Sequence, residues 1–332
     1  MNDNERPSSA KPRRIGLALT GLALLVLAAC AGNSAEQNDA ASTSTTSTVA
    51  ASSTPQTDDT AAEPDTSTPT DDTAIDLINC ESNIGDDVPV FYSTYFRCTD
   101  ISVDGDIVVI SGSDLPPHLS YYYGEASDQF EEFVYSRGDR YRPNPNQIAQ
   151  TTFTLRIPLD PVRSGIAIDS ATVNLMVGDG TDYPQGIAGV ALDGVALFNP
   201  LAAPGDDIED EKYTFDSLEG HPQQQGTYHY HAVAVGPLAV LQALGFTTSE
   251  TPGLAEIELY GVMCDGTVVM GANELDASAP EGDRDLQAGH SHDIVDGNGT
   301  VLLENRYHIH MAPTIGAEPR GLTPEAQYYN TC

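Results

Sequence analysis

Histidine is scarce in this chain of 332 residues, with only eight present, yet four of the eight stand in two similar motifs. Residues 228–231 read Tyr-His-Tyr-His, and residues 307–310 read Tyr-His-Ile-His. In an extended strand, residues i and i+2 face the same side with their Cα atoms about 6.6 Å apart. Two imidazoles at this spacing can bind one metal ion through bonds of about 2.0–2.1 Å. Each motif therefore predicts part of a metal site.

A metal site needs further ligands, and a second histidine element precedes each motif. His221 ends the sequence Asp-Ser-Leu-Glu-Gly-His, and His290 ends Asp-Leu-Gln-Ala-Gly-His. Three neutral imidazoles would leave an open coordination position, as in catalytic zinc sites. The aspartates that begin these elements are candidate acceptors for the ring N–H of a ligand. The predicted metal ligands are His118, His221, His229, His231, His290, His292, His308 and His310, with Asp293 as an alternative to His292. The predicted outer residues are Asp216, Asp285, Asp293, Tyr228, Tyr230 and Tyr307.

Several interpretations of these histidines remain open. Imidazole ligands favour zinc or copper, and Met311 beside His310 indicates copper only weakly, because a buried methionine is the better explanation. One shared or dinuclear centre, or one ion for each motif, would fit the pattern. The ion would make the chain a metal-binding protein, a metal-dependent hydrolase or a copper oxidoreductase. Without metal, the rings would form a hydrogen-bonded core of a non-catalytic surface or scaffold module, or an acid–base pair. The sequence does not decide whether the chain is an enzyme.

Other chemistries lack their sequence motifs. The chain contains no Gly-x-Ser-x-Gly, no phosphate-binding glycine loop and no twelve-residue calcium loop. The formal net charge of -35 opposes binding to the anionic backbone of a nucleic acid. We therefore expect no nucleic-acid partner, and the sequence identifies no protein partner.

The region that contains the histidines is an internal repeat. The segment 189–197 (GVALDGVAL) aligns with 261–269 (GVMCDGTVV) at an offset of 72. The two Gly-His elements then align at an offset of 69 and the two Tyr-His-x-His motifs at an offset of 79. Three matched blocks in the same order predict a duplicated unit, at about 186–250 and 258–332.

The patterning of the domain predicts an all-β fold. Apolar residues alternate with polar ones in short runs rich in Val, Ile, Thr and Tyr, and turn residues separate these runs. Two segments favour helices instead, 127–137 (SDQFEEFVYSR) and 236–245 (GPLAVLQALG). We predict an antiparallel β-sandwich-like domain with an internal duplication and few short helices. The predicted strands are 106–113, 151–159, 172–179, 189–198, 255–271 and 299–311, with a hairpin turn at 295–301.

The first part of the chain has the composition of an export signal and a tether. Basic residues precede the apolar run IGLALTGLALLVLAA, which is typical of a signal peptide. The run ends at Leu-Ala-Ala-Cys and resembles a bacterial lipobox, which implies removal of residues 1–29 and acylation of Cys30. Residues 30–75 are rich in Ser, Thr and Asp and predict a disordered tether, and residues 76–332 predict the folded domain. We expect an exported protein held on the membrane surface by a lipid anchor.

Four cysteines follow Cys30, an even number that favours two disulfides in an exported chain. Cys80 and Cys98 lie close together in the sequence and flank one apparent hairpin, so we predict that they pair with each other. Cys264 would then pair with Cys332 and fix the end of the chain. A thiolate metal site is the alternative.

These motifs resemble the YHYH-domain family of exported bacterial proteins. The resemblance rests on GVALDGV (189–195), the Gly-His element and Tyr-His-Tyr-His, and it extends upstream to SGSDLPPH (111–118) and NPNQIAQTTFTLRIPL (144–159). It covers roughly residues 105–315, and the second motif departs from the pattern at Ile309. The family implies a location outside the cytoplasm and carries no defined activity.

Overall fold

A computed structural model describes residues 80–134, 137–173, 182–203, 206–317, 320–330 and 332. The predicted signal peptide (1–29), the predicted acylation site Cys30 and the predicted tether (30–75) lie outside the described residues. Most of the predicted strand 172–179 also lies outside them, and its first two residues form a turn. Within the described ranges, no helix is long and apolar enough to cross a membrane.

A four-stranded sheet lies early in the domain, with the strand order β1-β2-β3-β4. Alternate side chains point into the core, because successive side chains of a strand face opposite sides. Val108 and Ile110 of β3 are buried, as are Phe153, Leu155 and Ile157 of β4. The strands are β1 (Asn83–Ile84), β2 (Asp100–Asp104), β3 (Ile107–Gly112) and β4 (Phe153–Pro158).

The histidine motifs lie in an eight-stranded sheet with the order β11-β12-β10-β9-β5-β6-β8-β7. Its strands are β5 (Ile187–Ala191), β6 (Ala196–Phe198), β7 (His221–Pro222), β8 (Tyr228–Tyr230), β9 (Leu259–Met263), β10 (Val268–Met270), β11 (Gly289–Val295) and β12 (Val301–His310). Side chains of both sheets belong to one hydrophobic core, which confirms the all-β class. The sheets are mixed, however, because β1 with β2, β6 with β8, and β10 with β12 pair in parallel.

The strand pairing makes the predicted duplication visible as pseudo-twofold symmetry. β5 and β9 pair antiparallel with Val190 opposite Val262, two residues that the sequence repeat makes equivalent. Outward from this pair, each half repeats a hairpin, a parallel strand and an antiparallel edge strand. The equivalent registers are Ala196 with His229 and Val268 with His308, then His221 with His229 and His290 with His308. The two halves thus place their histidines on equivalent strands.

Helices are few and short, as predicted, but one predicted helix is wrong. The helices are α1 (Val90–Tyr95), α2 (Ile208–Glu211) and α3 (Val235–Ala243), and a 3₁₀ turn spans Lys212–Thr214. The helix α3 confirms the prediction at 236–245, and it packs on β9. Residues 127–134 are not helical, because their backbone pairs with Ser120: the Ser120 N–H donates to Gln129 O, and the Glu131 N–H donates to Ser120 O.

Both predicted disulfides are present. Cys80 bonds to Cys98 just before β2, and Cys264 at the end of β9 bonds to Cys332. The bonds tie the first and last described residues to the two sheets.

Candidate metal centres

The first histidine cluster lies at the β7–β8 end of the large sheet. His221 is in β7, and His229 and His231 are in and directly after β8. All three rings are buried, with at most 3% of each residue exposed. One ring nitrogen of each lies within 4.8 Å of the others, and Nε2 of His229 is 2.9 Å from Nε2 of His231. The first motif therefore converges with His221, as the sequence predicted.

Hydrogen bonds fix the tautomer of each ring in this cluster. Nδ1 of His229 lies 3.1 Å from Thr227 O, and Nδ1 of His231 lies 2.6 Å from Asn199 O. A carbonyl oxygen only accepts, so both Nδ1 atoms carry the proton. The Thr214 hydroxyl donates to Glu211 O and accepts from Nδ1 of His221 at 2.7 Å. Each Nε2 of a neutral ring is therefore a free lone pair, and a hydrogen bond between two such atoms is not available.

Burial also keeps these three rings uncharged. It lowers the pKa of His221 and His229 well below the ordinary value, and the neighbouring imidazoles lower them further. Burial lowers the pKa of His231 to about 4. Neutral imidazole with an unprotonated Nε2 is the form that binds a metal ion.

The second cluster, at the β11–β12 end of the sheet, surrounds the carboxylate of Glu274. Oε1 of Glu274 lies 3.1–3.3 Å from Nε2 of three histidines, and Oε2 lies 3.3 Å from Nε2 of a fourth. These rings are His290 and His292 of β11 and His308 and His310 of β12. Nε2 of His290 is 3.1 Å from Nε2 of His310. Five side chains therefore present donor atoms to one small volume.

The rings of the second cluster have the same orientation as those of the first. Their Nδ1 atoms donate to backbone carbonyl oxygens at 2.8–3.0 Å, which leaves Nε2 as the inward lone pair of each neutral ring. The acceptors are O of Glu281, Asp293, Arg306 and Gly271, for His290, His292, His308 and His310 respectively. Among the described residues, the fully buried Nε2 of His308 has no hydrogen-bond partner.

The carboxylate and the ring lone pairs of the second cluster favour a positive charge at its centre. Burial favours the neutral acid of Glu274, but the proximity of the His308 and His310 rings outweighs burial and holds the pKa of Glu274 well below the ordinary value. Burial and the neighbouring histidines lower the pKa of His290 to about 4. A carboxylate that faces ring lone pairs is repelled unless protons or a cation lie between them. Glu274, His290, His292 and His308 place their donor atoms within 4.8 Å of one another and could hold a metal ion, and His310 contacts the same carboxylate.

The other face of each motif holds a tyrosine–aspartate pair, which corrects one predicted role. The Tyr228 hydroxyl donates to both carboxylate oxygens of Asp216 at 2.8 Å, and the Tyr307 hydroxyl donates to Asp285 at 2.7 Å. Asp216 and Asp285 therefore bind tyrosines, and the ring N–H groups that we assigned to them go elsewhere. The Tyr230 hydroxyl donates to buried Asp193 at 2.8 Å.

These tyrosines explain the glycine of the Gly-His elements. A Cβ on Gly220 would lie 2.5 Å from the ring and hydroxyl of Tyr228, and one on Gly289 would overlap Tyr307. The preceding residues, Glu219 and Ala288, both have positive φ, 68° and 60°. The matching turns aim the histidine that follows each glycine toward its cluster.

Two predicted ligands lie outside the clusters. His118 contacts the Tyr230 hydroxyl at 3.2 Å and Leu119 O at 2.9 Å, so it lies on the tyrosine face of β8. The carboxylate of Asp293 accepts from the Asn305 N–H at 2.8 Å, and only its backbone oxygen supports His292. The structure assigns the fourth imidazole of the second cluster to His292.

The sequence reasoning missed two carboxylates. Glu274 follows β10, and Glu211 ends α2 with Oε1 3.6 Å from Nε2 of His221. Burial and the nearby Asp206 raise the pKa of Glu211 to about 7, and its Oε2 has no hydrogen-bond partner among the described residues. The repeat gave no signal for either, and a single acid is not distinctive in a chain with 49 of them.

The two clusters are separate centres. Four strands, β10, β9, β5 and β6, lie between β12 and β8, and neighbouring strands are about 4.8 Å apart, so the two motifs are roughly 24 Å apart across the sheet. A shared or dinuclear site between the motifs is therefore excluded.

The fold and the clusters define a duplicated all-β protein with one histidine centre in each half. The family model described as YHYH protein matches residues 155–300, which include the first motif, His290 and His292 and end before Tyr307. The match confirms the resemblance, and the chain carries a domain of the YHYH family. A search of the curated proteins and a search of the solved structures found no match.

Proposed function

We propose that this protein binds two transition-metal ions, zinc or copper, one in each half of the large sheet. The observation that carries the proposal is the orientation of seven imidazoles: each donates its Nδ1 proton to a backbone carbonyl or to Thr214 and turns Nε2 toward a common centre. Metal-binding histidines have this arrangement, because the outer hydrogen bond fixes the tautomer and raises the basicity of the ligand.

The spacing of the donors supports a single ion in each cluster. Two nitrogens bonded to one tetrahedral ion at about 2.0–2.1 Å are roughly 3.4 Å apart. The closest Nε2 pairs are 2.9 Å apart in the first cluster and 3.1 Å in the second, so small shifts give this geometry. Imidazole-rich ligand sets suit zinc and copper. Met311 does not favour copper, because its side chain belongs to the hydrophobic core.

We further propose that the domain works outside the cytoplasm on a lipid anchor. The support is the apolar run before Leu-Ala-Ala-Cys and the acid-rich segment after Cys30. The two disulfides and the YHYH domain are consistent with an extracytoplasmic location. Incorporation of a radiolabelled fatty acid tests the anchor, and its loss in the Cys30→Ala variant is the expected result.

Metal analysis of protein expressed without a histidine tag tests the metal proposal. We expect two ions per chain in the unaltered protein, and one in either His229→Ala or His308→Ala. The matched control is His118→Gln, which changes a buried histidine outside both clusters and should keep two ions. A protein that takes up neither zinc nor copper would leave the histidines as a hydrogen-bonded scaffold.

A second candidate function, metal-dependent hydrolysis, is favoured by one observation at the first centre. Glu211 presents a buried carboxylate oxygen beside His221, where it can accept a proton from a water molecule. The ion would supply Lewis acidity. The zinc-loaded protein would be assayed with p-nitrophenyl acetate and bis(p-nitrophenyl) phosphate. Turnover that falls in Glu211→Gln while zinc stays bound would support this role, and equal turnover would exclude it for Glu211 with these substrates.

A further inference from the structure

The symmetry of the two halves allows the two centres to be compared donor by donor. His231 donates to Asn199 O and His310 donates to Gly271 O, and these acceptors are equivalent at the offset of 72 that relates the two hairpins. Counting on from them, the counterpart of Glu274 is Ala202. At the offset of 69 that relates His221 to His290, the counterpart of His292 is Gln223.

At both counterpart positions, the first centre lacks the donor that the second centre has. Ala202 has no donor atom in its side chain. The amide of Gln223 is engaged within its own loop, since it donates to the Thr227 hydroxyl at 3.2 Å and accepts from the Gln225 N–H at 3.1 Å. The first centre therefore keeps three imidazoles where the second has four imidazoles and a carboxylate.

The space left by the two donors opens into a cavity. Ala202 and Gln223 line a cavity of ≈ 1140 Å³, and the three histidines of the first cluster line the same cavity. A cavity of ≈ 950 Å³ beside the second centre is lined by Glu274, His290 and His292 but not by His308 or His310. All three rings of the first centre thus border the cavity, although at most 3% of each residue is exposed, so only a small ligand could reach an ion held among them.

We propose that the ion of the first centre has an open coordination position that accepts a small anionic ligand, and that the second centre is closed by its own side chains. The inference rests on the proposed metal function. Three neutral imidazoles do not compensate the charge of a divalent ion, so an anion is the favoured fourth ligand. Glu211, with Oε1 3.6 Å from Nε2 of His221, stays outside the ligand set in this inference. In the second centre, Glu274 compensates one charge, and His292 occupies the other counterpart position.

The test uses the full chain loaded with Co²⁺, whose visible absorption reports the ligands of the ion, and azide as the probe anion. Equilibrium dialysis first counts the bound cobalt, and an absence of bound cobalt would refute the metal function itself. In the unaltered protein, we expect the azide-dependent change to saturate at one azide per two cobalt ions. No change, or a change at both ions, would overturn the inference while leaving metal binding intact.

Single-centre variants assign the response to a half of the molecule. His308→Ala retains the first centre and should respond to azide, whereas His229→Ala retains the second and should not. The reverse pattern would overturn the inference. The thermal unfolding of each variant is compared with that of the unaltered protein to show that the variant is folded. The azide titration of the unaltered protein tests the inference even if a variant does not fold.

Exchanging the closing side chain tests the proposed cause. Ala202→Glu, made in the His308→Ala background, should retain cobalt and lose the azide response. Glu274→Ala combined with His292→Gln, made in the His229→Ala background, removes both closing donors and should gain the response. Glu211→Gln in the His308→Ala background addresses the nearby carboxylate: if azide binds only after this change, Glu211 already fills the position and the inference is wrong.

Discussion

The two halves of the large sheet share their backbone and histidine geometry but differ in the donors that complete each centre. Equivalent strands hold the histidines in both, and backbone carbonyls accept the Nδ1 protons of the paired rings His229 with His308 and His231 with His310. The differences lie in the segments after β6 and β10 and in the edge strands. The sheet therefore fixes where an ion can bind, and the connecting segments decide how many donors the ion receives.

The halves also differ in what covers their tyrosine face. Asp193 of the first half accepts from Tyr230, but Ile309 replaces this tyrosine in the second half. The equivalent Asp265 accepts from the backbone N–H groups of Tyr328 and Tyr329 at 3.1 Å instead. The C-terminal segment thus takes over the role of a side chain, which explains how the second motif tolerates isoleucine.

The largest effect is expected from Glu274, the donor that separates the centres most clearly. Glu274→Gln removes a buried negative charge from among four imidazoles, and breaking a buried charge pair costs about 3–5 kcal/mol. We expect the zinc affinity of the second centre to fall by roughly 10²–10⁴-fold. Competition with a chromophoric chelator in the His229→Ala background measures it, with Glu304→Gln as the exposed control. Unchanged affinity would remove Glu274 from the ligand set.

A comparable effect should appear in the pH dependence of stability, from the buried Asp114, which contacts β6 of the first half. Asp114 accepts from the Thr151 hydroxyl at 2.9 Å and the Ala196 N–H of β6 at 3.2 Å. Burial raises its pKa from 3.8 to about 7. Below pH 4 the folded and unfolded chains both hold the proton. Between pH 4 and 7 only the folded chain holds it, so this contribution to stability is lost as the pH rises.

The loss amounts to about 4 kcal/mol over this range, since one pKa unit corresponds to about 1.4 kcal/mol. Asp114→Asn should flatten the dependence of the unfolding free energy on pH between 4 and 7, as measured by urea titration of metal-free protein. Asp104→Asn, which changes an exposed acid of β2, is the control. The same slope in Asp114→Asn and the unaltered protein would contradict this assignment.

The sequence predicted the parts of the fold that local pattern determines. Alternating burial in β3 and β4, both disulfides and the convergence of His221 with His229 and His231 are confirmed. The strand pairing is consistent with the predicted duplication. The sequence pattern at 127–137 favours a helix, but backbone hydrogen bonds to Ser120 take the place of helical hydrogen bonds. Propensity within a segment does not show such a long-range partner.

The number of histidine centres and the residues that complete them could not be predicted from the sequence repeat. Two similar motifs fit one shared site as well as two, and only the strand order, with β9 and β5 at the middle, separates them. The ring N–H groups bind backbone carbonyls, which every residue possesses, so no side-chain pattern pointed to them. Glu274 aligns with Ala202, and Glu211 lies where the repeat offset changes from 72 to 69, so the repeat comparison passed over both.

A smaller difference is expected between the tyrosines of the two halves. Asp216 is fully buried, and it also accepts from the Ser120 hydroxyl at 2.6 Å, whereas Asp285 is partly exposed. Removing a partner from a buried acceptor costs about 1–3 kcal/mol. Tyr228→Phe should therefore lower the unfolding free energy by about 2 kcal/mol, and Tyr307→Phe by less, because water can replace the lost hydroxyl. Equal losses in urea unfolding of the metal-free variants would contradict this distinction.

The smallest effect is expected at His292, whose side chain is 42% exposed. An exposed ligand contributes less than a buried one, because water can take its place on the ion at little cost. We expect His292→Gln, which installs the residue of the first half, to weaken zinc binding at the second centre about 10-fold, or roughly 1.4 kcal/mol.

The reciprocal Gln223→His should strengthen zinc binding at the first centre by a similar factor, because β7 and β11 hold equivalent positions. Chelator competition in the single-centre backgrounds measures both changes. The control is Gln225→His, which adds a histidine two residues further along the exposed loop, at a position that is not equivalent to His292. If Gln223→His binds zinc no more tightly than this control, the two halves differ in backbone geometry as well as in side chains. The equivalence that their strand pairing shows would then not extend to the ligand positions.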